Sequence, residues 1–174
     1  DEWQKFCEKI SELGKYLEDE GMPLAYHHHM GTVIETQKDT ERLIENTHES
    51  VKLTLDTGHM LFAKGDSKYI LQNYHERILH VHCKDIRKQV LEKSLKEDLS
   101  FRGAFLEGAF TVPGDGCIDY QPLFNVLKNN NYSGWLVVEA EQDPAKANPL
   151  EYAKIGYNYL TDTLKKSEIE IYKN

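Results

Sequence analysis

Helix-type and strand-type hydrophobic patterns alternate four times along this chain, and that alternation limits its fold more than any other feature. Residues 3–20 put Phe6, Ile10, Leu13 and Leu17 at helical spacing, and Gly21 with Pro23 stops the run. Leu24 to His29 reads as a short strand that passes into a polar loop at Gly31. A helix over 39–47 follows, with Asp39 as its expected cap, and then a strand over Val51–Asp56. A helix at Ser67–Tyr74 leads to a third strand, Ile78–Cys83, and residues 86–98 have a charged helical pattern. The stretch holding Phe101 and Gly103 reads as loop and ends in the turn Pro113-Gly114-Asp115-Gly116. Tyr120–Lys128 is helical, Trp135–Val138 is the fourth strand, and Leu150–Lys165 is a final helix. Strands that each lead into a helix imply parallel β/α units with right-handed crossovers.

The 174 residues suffice for about four such units, whereas a closed eightfold β/α barrel takes about 200 residues or more. No linker or low-complexity tract divides the sequence, so residues 1–174 are expected to form a single partial-barrel domain. With 21 Lys+Arg against 29 Asp+Glu, the net charge of −8 lacks the basic footprint that nucleic acid requires. No apolar run approaches the roughly 18 residues of a membrane span, and no signal-peptide pattern is visible. Cys7, Cys83 and Cys117 are odd in number and lack C-x-x-C spacing, which suits reduced thiols and a cytoplasmic location.

Polar residues gather at or just past the carboxyl end of every strand, the edge where β/α folds carry their chemistry. His27, His28, His29 and Glu35 follow the first strand, and Asp56-Thr57-Gly58-His59 ends the second. His82-Cys83-Lys84-Asp85 ends the third, and Glu139-Ala140-Glu141 ends the fourth. Carboxylates with one or two imidazoles suit Mn²⁺, Co²⁺, Fe²⁺, Zn²⁺ or Mg²⁺, while the thiolates of a structural zinc site are missing. Strand parity puts His80, His82 and Lys84 on one face, Thr54 with Asp56, and Glu139 with Glu141.

Each residue also has a plainer reading. The triple histidine could be a surface cluster, Asp56 a helix cap, His82 a satisfied core histidine and Glu35 an exposed loop carboxylate. Glu139 is preferred over Glu141 because it directly follows the apolar run. Lys84 and Asp85 read equally well as a solvated pair, and Gly114-Asp115-Gly116 reads as a turn, because it does not join a strand to a helix as a phosphate loop must.

Several segments resemble the inosose (2-keto-myo-inositol) dehydratases. They are the loop from Tyr26 through His27-His28-His29 to Glu35, Leu55-Asp56-Thr57-Gly58-His59, and His80-Val81-His82-Cys83-Lys84-Asp85. Phe110 to Gly116 and Trp135 to Pro144 extend the resemblance in the same order. It covers nearly the whole chain but only the C-terminal part of the family sequence, the fifth to eighth strands of a xylose-isomerase-like TIM barrel. The D-x-x-H and H-x-K-D pieces are shared by that wider superfamily; the His-rich loop and the Val-Pro-Gly-Asp-Gly turn point to the dehydratases.

The resemblance implies a divalent metal, Mn²⁺ or Co²⁺ favoured, held by Glu35, Asp56, His82 and Glu139. It places His59 and Glu141 near substrate, and His27, His29, Glu139 and Lys84 in catalysis. The implied reaction removes water from a keto-cyclitol to give a trihydroxycyclohexane dione in inositol catabolism. A sugar or ketose isomerase or epimerase is the nearest alternative, and a half-barrel that only binds metal or a partner chain is another. Two open strand edges and an uncovered interior predict a homo-oligomer or a missing N-terminal half as partner.

Overall fold

The amphipathic start of the chain becomes helix α1, Glu2–Asp19, whose free amino end is capped where Asp1 accepts from Gln4 N at 2.8 Å. The computed structural model describes residues 1–172. The chain divides into two compact units, residues 1–81 and residue 82 onward. The boundary falls inside a strand, which explains why no linker composition marks it.

In the first unit α1 leads to β1 (Leu24–His27), α2 (Gln37–Asn46) and β2 (Val51–Asp56). Then come α3 (Thr57–Phe62), α4 (Ser67–Tyr74) and β3 (Ile78–Cys83), whose last two residues belong to the second unit. β1 and β2 pair in parallel, with Leu24 opposite Val51 and His27 opposite Thr54. β2 in turn neighbours β3. Because residues two apart share a strand face, this register aims His27 and Asp56 to the same side.

α1 rests on the start of β2 at Gly14, where a Cβ would lie 2.9 Å from Ser50 Oγ and 3.1 Å from Val51 Cγ2. Leu53, Leu55, Met60 and Ile70 form a fully buried core under the strands. Arg77 ties the layers by donating to the carbonyls of Val51 and Ile44 at 2.7 and 2.9 Å.

α2 begins two residues earlier than its apolar pattern suggests, and Asp39 is not its cap. Thr36 caps it, and Asp39 answers from the third helical position. Asp39 N donates to Thr36 Oγ1 at 3.1 Å, and Thr36 N donates to Asp39 Oδ2 at 2.9 Å. This reciprocal pairing satisfies two helix-end donors at once.

The second unit contains β4 (Asp85–Ile86), α5 (Lys88–Lys96), α6 (Phe101–Leu106), β5 (Phe110–Thr111), α7 (Tyr120–Asn129), β6 (Trp135–Val138) and α8 (Pro149–Lys166). β4 and β5 form an antiparallel ribbon, with Asp85 opposite Thr111 and Ile86 opposite Phe110. The expected helix over 86–98 starts late for that reason: Ile86 is committed to the ribbon. The expected loop at 101–106 is instead a short helix, which Ser100 caps by accepting from Gly103 N at 3.1 Å.

Just past β6, Glu139 N lies 3.4 Å from Cys83 O, so the chain runs beside the end of β3. α8 approaches β6 closely at Gly156, where a Cβ would lie 2.5 Å from Val138 Cγ1. The turn at 113–116 forms as expected: Asp115 N donates to Val112 O at 3.1 Å, and Gly114 takes a φ of 88° that favours glycine.

Candidate metal centre

In the first unit the strand ends gather one carboxylate and four imidazoles. Asp56 ends β2 and caps α3, its Oδ1 accepting from His59 N at 2.9 Å. The D-x-x-H spacing is thus also a cap spacing, since an N-cap side chain reaches the third helical amide. The two readings of Asp56 coexist, because its Oδ2 lies 3.4 Å from His27 Nε2. One ligand atom from each of His27, Asp56 and His59 falls within 4.8 Å of the others.

Asp56 and His59 are fully buried, and the His27 side chain keeps 30% of its surface. A buried carboxylate faced by imidazoles is costly without a counter-charge. This donor set fits a borderline divalent cation in its charge, its atoms and its enclosure. His59, which the sequence pattern put near substrate, therefore stands as a candidate ligand.

The other two histidines sort into different roles. His28 is fully buried and its Nε2 accepts from Asp56 N at 3.1 Å, so the ring is neutral with its proton on Nδ1. Burial pushes its pKa down to about 3, and the neighbouring rings of His27, His59 and His29 add to this against the opposite pull of Asp56. His29 Nδ1 donates to Met30 O at 2.7 Å, and its ring lies 3.7 Å, centroid to centroid, from that of His59. Glu35 stands apart. Its Oε2 accepts from Gly31 N at 2.7 Å, and among the described residues it joins no group of metal-competent side chains.

The second unit builds a different cluster from the ends of β3 and β6. Lys84 Nζ lies 3.1 Å from Glu139 Oε2 and 2.9 Å from Glu141 Oε2, both just past the end of β6. His82 Nδ1 is 3.0 Å from the same Glu139 oxygen. Lys84 is fully buried, with its ammonium 5.6 Å from the Phe110 ring centroid, so it is no member of a solvated pair. Its ammonium bridges the two carboxylates.

Asp85 is buried as well, its Oδ1 accepting the amides of Ile86, Cys117 and Ile118. The roles of His28 and Asp85 are absent from the sequence pattern. The only hint of either is that each adjoins a residue with a chemical reading.

Parallel β/α units with imidazoles and carboxylates at their carboxyl ends define a barrel-type metal-binding fold. The model of the xylose isomerase-like TIM barrel matches residues 1–163, and the chain belongs to that family. In sequence it is similar to the inosose dehydratase of Clostridium beijerinckii, 50% identical over 163 residues that make up 93% of this chain and 55% of that protein. It is 48% identical over 164 residues to the inosose dehydratase of Halalkalibacterium halodurans, covering 94% of this chain and 54% of that one. The chain thus spans about half the length of the curated relatives it matches.

Two solved structures share the fold. The IOLI protein with a bound zinc atom superposes with a TM-score of 0.66 at 20% identity, covering 91% of this chain and 54% of that one. An L-ribulose 3-epimerase gives a TM-score of 0.66 at 16% identity, covering 95% of this chain and 55% of that one.

Proposed function

We propose that this chain is the metal-bearing part of a metal-dependent lyase that dehydrates 2-keto-myo-inositol. The observation that carries the proposal is the 50% identity to an inosose dehydratase across the same residues that build both clusters. The His27–Asp56–His59 group supports a divalent metal, with Asp56 common to that group and to the ligand set the family resemblance implies. Glu35, His82 and Glu139 complete the set that the family resemblance implies, with Mn²⁺ or Co²⁺ as the preferred ion. The zinc in the IOLI protein supports a divalent ion of this size and charge. The chain is proposed to work in the cytoplasm, consistent with three free cysteines. Among the described residues, no helix is long and apolar enough to cross a membrane.

The bound metal would supply Lewis acidity to the ketone and its neighbouring hydroxyl. The rest falls to the chain. A base removes the proton α to the carbonyl, and the β-hydroxyl leaves as water once an acid protonates it. Glu139 is the candidate to accept a proton, its Oε2 lying 3.1 Å from Lys84 Nζ and 3.0 Å from His82 Nδ1. His27 and His29 are the candidates for delivering one. Lys84 steadies the negative charge that develops during enolisation.

An epimerase would begin with the same proton abstraction but would retain the hydroxyl. The other wall of the pocket would come from further β/α units or from a second copy of the chain, because a closed barrel needs eight strands.

Calorimetric titration with Mn²⁺, Co²⁺ and Zn²⁺ tests the metal site: Asp56→Ala is expected to abolish binding, and undiminished binding would refute the site. His82→Ala and Glu35→Ala test the wider set. Mass analysis of inosose after incubation tests the reaction. Loss of one water supports the dehydratase, and an isomer of unchanged mass supports the epimerase. Sedimentation gives the state of assembly, and a stable monomer would overturn the proposed partner.

A further inference from the structure

We propose that Asp85 is a positioning residue that pins the segment Gly116–Ile118 to the end of β3 and thereby holds Lys84 on Glu139 and Glu141. The inference rests on the catalytic reading of Lys84 given above. Asp85 Oδ1 accepts three backbone amides: Ile86 N at 2.7 Å, and Cys117 N and Ile118 N, each at 2.9 Å. Two of these three come from a segment more than thirty residues away in sequence, so a single buried oxygen closes a long loop.

Gly116 is what permits the approach, since a Cβ there would lie 2.1 Å from Asp85 Oδ1. The same segment then returns to its neighbour. Ile118 is followed by Asp119, the cap of α7, and Tyr120 in the first turn of α7 donates its hydroxyl to Lys84 O at 3.0 Å. Consecutive residues, Lys84 and Asp85, are therefore gripped by one short stretch of chain, the first by its carbonyl and the second by its carboxylate. Asp115 secures the other end of the turn, 2.7 Å from Arg87 Nη2.

The grip acts on Lys84 through the backbone. Lys84 must carry its charge into a fully buried position and reach two carboxylates at 3.1 and 2.9 Å. A lysine side chain has four rotatable carbons, so its reach is only as fixed as its backbone. The three bonds to Asp85 Oδ1 all come from backbone amides. Its part is to accept amides, and no proton transfer is assigned to it.

The test is pulse acylation of lysines in the intact chain, read by peptide mass spectrometry, with no metal and no substrate present. Asp85→Ala removes the acceptor, and Lys84 labelling is expected to rise about tenfold, as loss of a buried charge-assisted acceptor implies. Asp85→Asn keeps an oxygen for the three amides and is expected to keep Lys84 protected within about threefold of the parent. Exposed Lys88 serves as the internal standard.

A folded Asp85→Ala chain with Lys84 still protected would overturn the proposal, and so would equal deprotection in both variants. Should Asp85→Ala fail to fold, Gly116→Ala and Tyr120→Phe are read instead. Each is expected to raise Lys84 labelling, and protection unchanged in both would overturn the proposal. Because the labelling needs no turnover, it is independent of the dehydratase reading. That reading would fail separately if Lys84→Met left water loss from inosose intact.

Discussion

Replacing Lys84 with Met removes a buried charge while keeping a flexible side chain of similar length against Phe110. The parent ammonium lies 3.1 Å from Glu139 Oε2 and 2.9 Å from Glu141 Oε2. At an effective dielectric of about 20, each such contact has a gross attraction of about 5 kcal/mol, most of it cancelled by the cost of burying the lysine. Removing one partner of a fully buried pair typically costs about 3–5 kcal/mol. Here the glutamates keep 32% and 27% of their side-chain surface, so water recovers part of that loss.

The expected cost is about 2–3 kcal/mol, measured by urea unfolding followed by circular dichroism. Glu141→Gln alone should cost about 1 kcal/mol, and the double variant should lose at least about 1 kcal/mol less than the sum. A Lys84→Met chain within about 0.5 kcal/mol of the parent, or strict additivity in the double variant, would refute the claim that this lysine organises the carboxylates.

Three further outcomes follow from the same geometry. His28 stays neutral in the native state with its pKa pushed down to about 3, whereas the unfolded chain takes up a proton there near pH 6.5. Stability from this residue is therefore full above pH 6.5 and is lost as the pH falls toward 3. His28→Gln keeps an acceptor for Asp56 N and should abolish that loss. The difference in unfolding free energy between parent and variant is expected to shift by about 1.4 kcal/mol per pH unit from pH 6 to 4, and a flat difference would count against a neutral buried ring. Gly156→Ala should destabilise by about 1–3 kcal/mol through overpacking. The added Cβ would lie 2.5 Å from Val138 Cγ1, so a second change, Val138→Ala, should restore most of the thermal midpoint. Thr36→Ala removes the hydroxyl arm of the capping box of α2, leaving the backbone N–H that donates to Asp39, and should cost about 1 kcal/mol in chemical denaturation; no change would show that the hydroxyl cap is dispensable.

Elements with a local signal are legible in the residues alone. Val51–Asp56, Ile78–Cys83 and Trp135–Val138 form strands with the expected bounds, because runs rich in Val, Ile and Leu ended by polar residues leave little choice. Parity also put Glu139 and Glu141 on one face, and Lys84 does meet both.

Whatever depends on residues distant in sequence emerges only in the folded chain. Asp85 shows this best: no local signal predicts that its carboxylate collects amides from Cys117 and Ile118, since it is chain folding that brings that segment to it. Likewise, Lys84 and Asp85 look solvated as a dipeptide but are fully buried, because each finds its counter-charge or donors across the fold. The division has a physical basis. Strand and helix preferences are set by neighbours a few residues apart, whereas the burial of a charge becomes affordable only when the complete fold supplies its partners.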